Sequence, residues 1–171
     1  NTSQKAQLGI SGRLNRNGND GTVSRFGWKA QNQSLLLFSA EAYNVEMGIT
    51  NETFQSERDE TANCQFANVP NDTQLFDTTA GFPALITAIE NFANFQRFLD
   101  QPTPVTSFPG ASSDSINRGR AKFSDIGCAL CHTPSLRTSD VATVEALRDE
   151  VANLFSDVAL HNMGPGLADD V

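Results

Sequence analysis

Five consecutive residues constrain this chain more than any others: Cys128-Ala129-Leu130-Cys131-His132, followed by Thr133-Pro134. Two thiols three positions apart, with an imidazole directly after the second, form the attachment pattern of a c-type haem. The cysteines lie close enough to form thioethers with the two vinyl groups of one porphyrin, and the histidine then falls over the iron as proximal ligand. Two other readings use the same residues. A thioredoxin-like dithiol opens a long helix after a strand, whereas a helical pattern precedes this pair and Thr133-Pro134 follows it. A zinc site needs four ligands, and the soft or borderline donors of the chain are Cys64, Cys128, Cys131, His132 and His161. With three cysteines in all, the chain is not a disulfide scaffold.

The rest of the 171-residue sequence bounds the setting of that motif. Its length suits one ordinary domain or one and a half small ones. The longest strongly apolar run, Leu35 to Phe38, falls far short of the roughly 18 apolar residues of a membrane span. Twelve Lys and Arg against 20 Asp and Glu give a formal charge of −8, and the three lysines, Lys5, Lys29 and Lys122, are scattered. No basic patch is present to release counterions from a phosphate backbone, so nucleic acid is not an expected partner. The chain opens on Asn1 with no apolar signal region and stops just after a Gly/Pro-rich turn, and it reads as a piece of a longer protein.

Periodicity divides the chain into recognisable stretches. Asn17-Gly18 and Asp20-Gly21 are turn dipeptides, which predict a short hairpin pairing residues 8–14 with 21–26. The stretch from Leu35 to Met47 is apolar around most of a helical circumference, with Asn32 or Ser34 to cap it and Gly48 to end it. Residues 51–80 are polar and turn-rich and predict a long loop. Residues 83–100 give the clearest helix, with Pro83 in its first turn and Leu85, Ala88, Ile89, Phe92, Gln96 and Leu99 on one face. Phe92, Phe95 and Phe98 at helical spacing read as core. Prolines and hydroxyl residues from Pro102 onward mark a linker. Ser115 or Asp114 then caps a helix carrying Ile116, Gly119, Phe123 and Ile126 into the cysteine pair, and Thr143–Phe155 is helical by spacing alone. The expected fold is mainly α, with a cytochrome c-like segment, long irregular loops and a short N-terminal β-hairpin. Its expected division is a connecting helical region over 1–112 and the front of a haem domain over 113–171.

Four blocks in order then carry a resemblance: R-F-G-W-K-A at Arg25 to Ala30, E-M-G-I-T at Glu46 to Thr50, C-A-L-C-H-T-P, and L-H-N-M-G-P-G-L-A-D at Leu160 to Asp169. Together they are similar to the bacterial di-haem oxidoreductase family, distant relatives of the di-haem cytochrome c peroxidases and often labelled thiol oxidoreductases. The resemblance implies two c-type haem domains, redox chemistry of a peroxidase-like or thiol oxidoreductase kind, and a periplasmic location. This sequence has a single C-x-x-C-H, so the second haem domain of the same parent protein is an expected partner, beside a small redox electron donor or acceptor. Cys64 stands where the family has a cysteine in this loop, and no companion for it is visible.

The expected site is therefore haem c held by Cys128 and Cys131 with His132 as proximal iron ligand. From this chain a sixth ligand could come only from His161, Met163 or Met47. Met163 in H-N-M-G-P resembles the sixth ligand of simple cytochromes, and it competes with a residue beyond Val171 and with simple packing against the haem edge. Trp28, the single tryptophan, is a candidate electron conduit between haems, against the commoner role of a packing anchor. Thioether attachment takes place outside the bacterial cytoplasmic membrane, so an exported, periplasmic protein is expected. No long helix is expected after Thr133-Pro134, so much of the Ile116, Phe123 and Ile126 face is expected to be exposed or covered by a neighbouring molecule, and a chain made in a reducing cytoplasm without haem-maturation enzymes is expected to lack haem. The competing functional class is a non-haem scaffold or interaction module with a plain dithiol.

Overall fold

The helices are placed by short-range chemistry. In the computed structural model, which describes residues 2–58, 61, 63, 66, 69–72 and 86–168, four α-helices and three two-stranded antiparallel pairs are present among the described residues. Helix α1 spans Thr2–Gln7. It stops where Gly9 takes φ +68 and the amides of Gly9 and Ile10 turn back onto the carbonyls of Ala6 and Lys5, at 3.1 and 2.9 Å. That pattern satisfies the carbonyls a helix end leaves open. Helix α2, Leu35–Met47, begins with the Ser34 hydroxyl accepting from the Leu37 amide at 3.1 Å and ends at Gly48 with φ 68. Both ends lie where the sequence places them. None of the described helices is long and apolar enough to cross a membrane.

The chain forms two compact units, Leu14–Leu99 and Asn1–Arg13 with Asp100–Val171. The first 13 residues group with the C-terminal stretch rather than with the unit that follows them in sequence.

In the unit Leu14–Leu99, α2 packs on α3, Ala88–Arg97. The contact is built from small residues, with Ala40, Ser39, Ile89 and Ala93 buried. Tyr43 meets Phe92 with ring centroids 5.9 Å apart. Most of the apolar circumference of α2 remains accessible, as do Phe95 and Phe98, so the sequence overstates the core: among the described residues of this unit the buried apolar side chains are those of the α2–α3 seam. Pro83, Leu85 and Cys64 lie outside the described residues. Thr87 starts α3 through reciprocal bonds with Glu90, the Thr87 amide to the Glu90 carboxylate at 3.0 Å and the Glu90 amide to the Thr87 hydroxyl at 3.4 Å. Replacing Thr87 with alanine leaves an unsatisfied helix start, and we expect it to lower the stability of this unit by about 1 kcal/mol in chemical denaturation.

Side-chain amides hold the polar stretch after α2. Fully buried Asn51 donates to the Ala40 carbonyl at 2.8 Å and accepts from the amides of Thr53 and Phe54. Asn44 donates to the Ser56 carbonyl at 2.9 Å. The hairpin of this unit is shorter than predicted. Strands β2, Asn15–Arg16, and β3, Val23–Ser24, pair around a turn closed by Asn17 and Gly21, whereas β1, Gly12–Arg13, leaves the predicted partnership altogether.

In the other unit, β1 pairs with β6, Leu160–His161, in the register Gly12 to His161 and Arg13 to Leu160. Strands β4, Leu136–Arg137, and β5, Val151–Ala152, pair in turn. Helix α4 spans Ser113–Asp125 with Ser112 as its cap, two or three residues before the expected cap. Thr143–Phe155 is not an α-helix. It holds a single 3₁₀ turn at Glu145–Leu147, then β5. Its β-branched residues favour the extended form once β4 offers a ladder. The architecture is thus a mixed small fold of helices and short strand pairs, less dominated by helix than the sequence suggests.

Candidate functional site

Helix α4 delivers the chain to the cysteine motif through one residue of special geometry. Gly127 has φ +91, a left-handed conformation that costs a side-chain-bearing residue roughly 1–2 kcal/mol. The turn it permits leads at once into a 3₁₀ helix, Cys128–Leu130, closed by the Cys131 amide onto the Cys128 carbonyl. In a 3₁₀ turn, positions i and i+3 eclipse, so the thiols of Cys128 and Cys131 share one face. Both are half-buried and neither is in a disulfide. Leu130, between them, is buried and anchors the turn from behind.

His132 follows on the same turn, its amide donating to the Cys128 carbonyl at 2.9 Å. Its ring is exposed, and Nδ1 lies 3.1 Å from the carbonyl oxygen of Phe155. A carbonyl only accepts, so this contact fixes the proton on Nδ1 and leaves Nε2 as a lone-pair donor. The β4–β5 pair makes the contact possible by reversing the chain. Beyond it the Phe155 amide reaches the Pro134 carbonyl at 3.4 Å and the Asp157 amide reaches the Cys131 carbonyl at 3.0 Å. Phe155 itself sits at φ 48 and Val158 at φ 51. Left-handed backbone at a bulky and a β-branched residue stores of the order of 1–3 kcal/mol each, and such strain persists only where surrounding contacts over-determine it.

Apolar rings flank the imidazole. The Phe123 ring lies 6.3 Å from that of His132 and 6.0 Å, edge to face, from that of Phe155. Beside them is an open groove of about 450 Å³ lined by Ile116, Gly119, Phe123, Pro134 and Phe155 among others, within the size range of cofactor and small-molecule sites, about 300–1,000 Å³. No residue of α4 is buried: Ile116 and Phe123 are half-buried and Ile126 is exposed.

The other candidate residues lie elsewhere. Met163 is 67% exposed on the bend after β6. His161 is engaged through Nε2, 3.1 Å from both carboxylate oxygens of Asp157, which opposes a ligand role for that nitrogen. Met47 is exposed near the end of α2 in the other unit. Trp28 belongs to that unit too. It stands 96% exposed at the tip of a tight loop in which Phe26 and Asn32 exchange backbone bonds at 3.0 Å. Among the described residues it therefore packs into no core. Asp157 went unnoticed in the sequence. Burial opposes its charged form, but hydrogen bonds from Lys5 at 2.7 Å and from His161, with their charges, outweigh burial and hold the carboxyl below the usual carboxylate range.

A metal held by protein side chains alone has no support among the described residues, where no group of three or more His, Cys, Asp and Glu converges. The donor set fits haem instead. Two thiols on one face meet the needs of two vinyl groups, and an imidazole oriented through Nδ1 with Nε2 available meets those of one axial iron position. Among known proteins, no curated sequence and no solved structure matches this chain. The family described as di-haem oxidoreductase, putative peroxidase, matches residues 6–171. That match runs through both units and takes in the turn that carries Cys128, Cys131 and His132, and the chain belongs to the di-haem oxidoreductase family.

Proposed function

We propose that this chain is the part of a periplasmic, peroxidase-like di-haem oxidoreductase that carries one covalently attached c-type haem. Membership of a haem oxidoreductase family supports the general class. The observation that carries the finer reading is the 3.1 Å contact between His132 Nδ1 and the Phe155 carbonyl. A plain dithiol gains nothing from an imidazole held in one tautomer, whereas an iron ligand gains basicity and a fixed ring plane.

In this reading Cys128 and Cys131 would hold the haem through thioethers and His132 would offer Nε2 to its iron. The haem, when bound, supplies one-electron iron chemistry. The protein then acts through three devices. Gly127 sets the direction of the attachment turn, Phe155 keeps the proton on Nδ1, and the Phe123 ring stands 6.3 Å from the imidazole beside a groove that Pro134 and Phe155 also line. A second haem of the same parent protein and a small redox donor or acceptor would be its electron partners. The segment from α4 through the 3₁₀ turn supports a cytochrome c-like arrangement, with a helix running directly into the C-x-x-C-H turn. Export follows from the attachment chemistry. Trp28, presented bare at a loop tip, keeps the role of candidate conduit, and Met163, exposed on its bend, that of candidate sixth ligand.

The test is spectroscopic. Full-length protein made with haem-maturation machinery should show a Soret band that survives acid-acetone extraction and a pyridine haemochrome of the two-thioether type. Absence of covalent haem under those conditions overturns the proposal and leaves the non-haem dithiol scaffold.

A further inference from the structure

The strained segment that holds His132 does not hold itself. Phe155 and Val158, both left-handed, bracket Asp157, and nothing in their own preferences favours this path. What fixes it is Asp157. Its amide bonds the Cys131 carbonyl at 3.0 Å, while its part-buried carboxylate takes Lys5 Nζ at 2.7 Å, His161 Nε2 at 3.1 Å and the Ala159 amide at 3.2 Å. Lys5 belongs to α1 and lies 152 positions away in sequence. His161 lies in β6, opposite Gly12 of β1. A Cβ on Gly12 would come within 3.0 Å of the His161 ring and 2.8 Å of the Ala159 Cβ, so the imidazole is seated directly on the β1 backbone.

We propose that residues 2–13 form a strap, locked by the Lys5–Asp157–His161 triad, that positions the His132 imidazole by holding Phe155 and Asp157 against the cysteine turn. The argument rests on the haem reading only for its purpose; the geometry is that of the chain itself. Lys5, Asp157 and His161 touch neither the thiols nor the imidazole, so they are positioning residues. A buried or part-buried ion pair is costly to break one-sidedly, and here it is spent on a strained backbone whose carbonyl sets the tautomer of a ligand. Loosening the strap lets Phe155 relax out of the left-handed region, and the Nδ1 contact is then lost.

The experiment uses the full chain, haem-free and haem-loaded, with Lys5→Met, Lys5→Arg and Asp157→Asn. In the haem-free chain at about pH 8.5, ring nitrogen shifts read the His132 tautomer, and amide hydrogen exchange reads residue 157. We expect wild type to hold the Nδ1–H tautomer. Lys5→Met should move it toward the Nε2–H form favoured by free imidazole and speed exchange at residue 157 by about tenfold or more, with Lys5→Arg within about twofold of wild type. In the haem-loaded chain Lys5→Met should raise the midpoint potential, because a weaker Nδ1 bond leaves a less basic ligand on iron. Thr87→Ala, which weakens the other unit, is the control and should leave all three readouts unchanged. Unchanged tautomer and exchange in Lys5→Met overturn the proposal, as does an equal response to Thr87→Ala. Should Asp157→Asn fail to fold, the Lys5 pair decides. A wild-type chain that takes up no haem defeats the haem reading alone, and the haem-free measurements still decide the strap.

Discussion

Cys128→Ala combined with Cys131→Ala should abolish covalent haem completely, while each single substitution should leave a haem bound by one thioether with a haemochrome band displaced from the wild-type position. The expected all-or-none difference follows from the turn. Both thiols lie on one face of a single 3₁₀ turn, so loss of one leaves the other correctly placed, and loss of both leaves only the His132–iron bond. His132→Gly is the complementary variant. It keeps both thiols and removes the axial ligand, so covalent haem should persist with a changed spectrum that added imidazole restores. The Phe155 carbonyl remains in place to orient the added ligand, and that gives the rescue its specificity. If both double-cysteine and wild-type chains yielded equal extraction-resistant haem, the assignment of Cys128 and Cys131 would fall.

How far the sequence foretells these features depends on the range of the interactions that make them. Ser34 and Gly48 are legible as the ends of α2 because a cap is a contract between residues three or four apart. The Cys128–His132 turn is legible for the same reason. The pairing of β1 with β6 joins residues about 150 positions apart, with nothing in G-R or L-H to announce it; the nearer partner, beyond Asn17-Gly18, is the one local rules favour. Lys5 and Asp157 are each unremarkable acids or bases until the fold brings them together. The acceptor that orients His132 is a backbone carbonyl, which carries no side-chain signature at all. Strands of two residues, such as Val151–Ala152, are below the length at which period-two alternation can be read. The stretch after α2 was legible as irregular, but its anchoring on Thr50, Asn51 and Asp72 was not, because buried polar residues in a loop resemble exposed ones in composition.

Asp72 in that stretch sets up the largest stability effect expected in the unit Leu14–Leu99. Its side chain is buried, and its carboxylate oxygens make no well-formed hydrogen bond among the described residues, with the Ile89 amide and the Glu52 side chain facing them. Burial, reinforced by the neighbouring Glu52 carboxylate, pushes its pKa up from 3.8 to about 6. An ionised Glu52 offers only acceptors, so Asp72 is satisfied by it only when protonated. An acid whose folded pKa is raised contributes stability that is complete below its unfolded value and is lost as pH rises through the folded one. Stability should therefore decline between about pH 4 and pH 6–7, by up to about 3 kcal/mol for a shift of roughly two units. Asp72→Asn removes the charge, keeps the shape and supplies amide donors toward Glu52. Some polar atoms of the amide remain unsatisfied at a cost of about 1 kcal/mol, so the net gain near pH 8 should be about 1–2 kcal/mol. At about pH 4, where wild-type Asp72 is protonated, the gain should vanish or reverse. Taking the difference between variant and wild type cancels the opposite acid response of Asp157, whose lowered pKa makes its contribution disappear only as pH falls below the ordinary carboxylate range. Urea denaturation at several pH values checks this directly: a difference that stays flat from pH 4 to pH 8 would show that Asp72 is ionised at no cost in the folded chain.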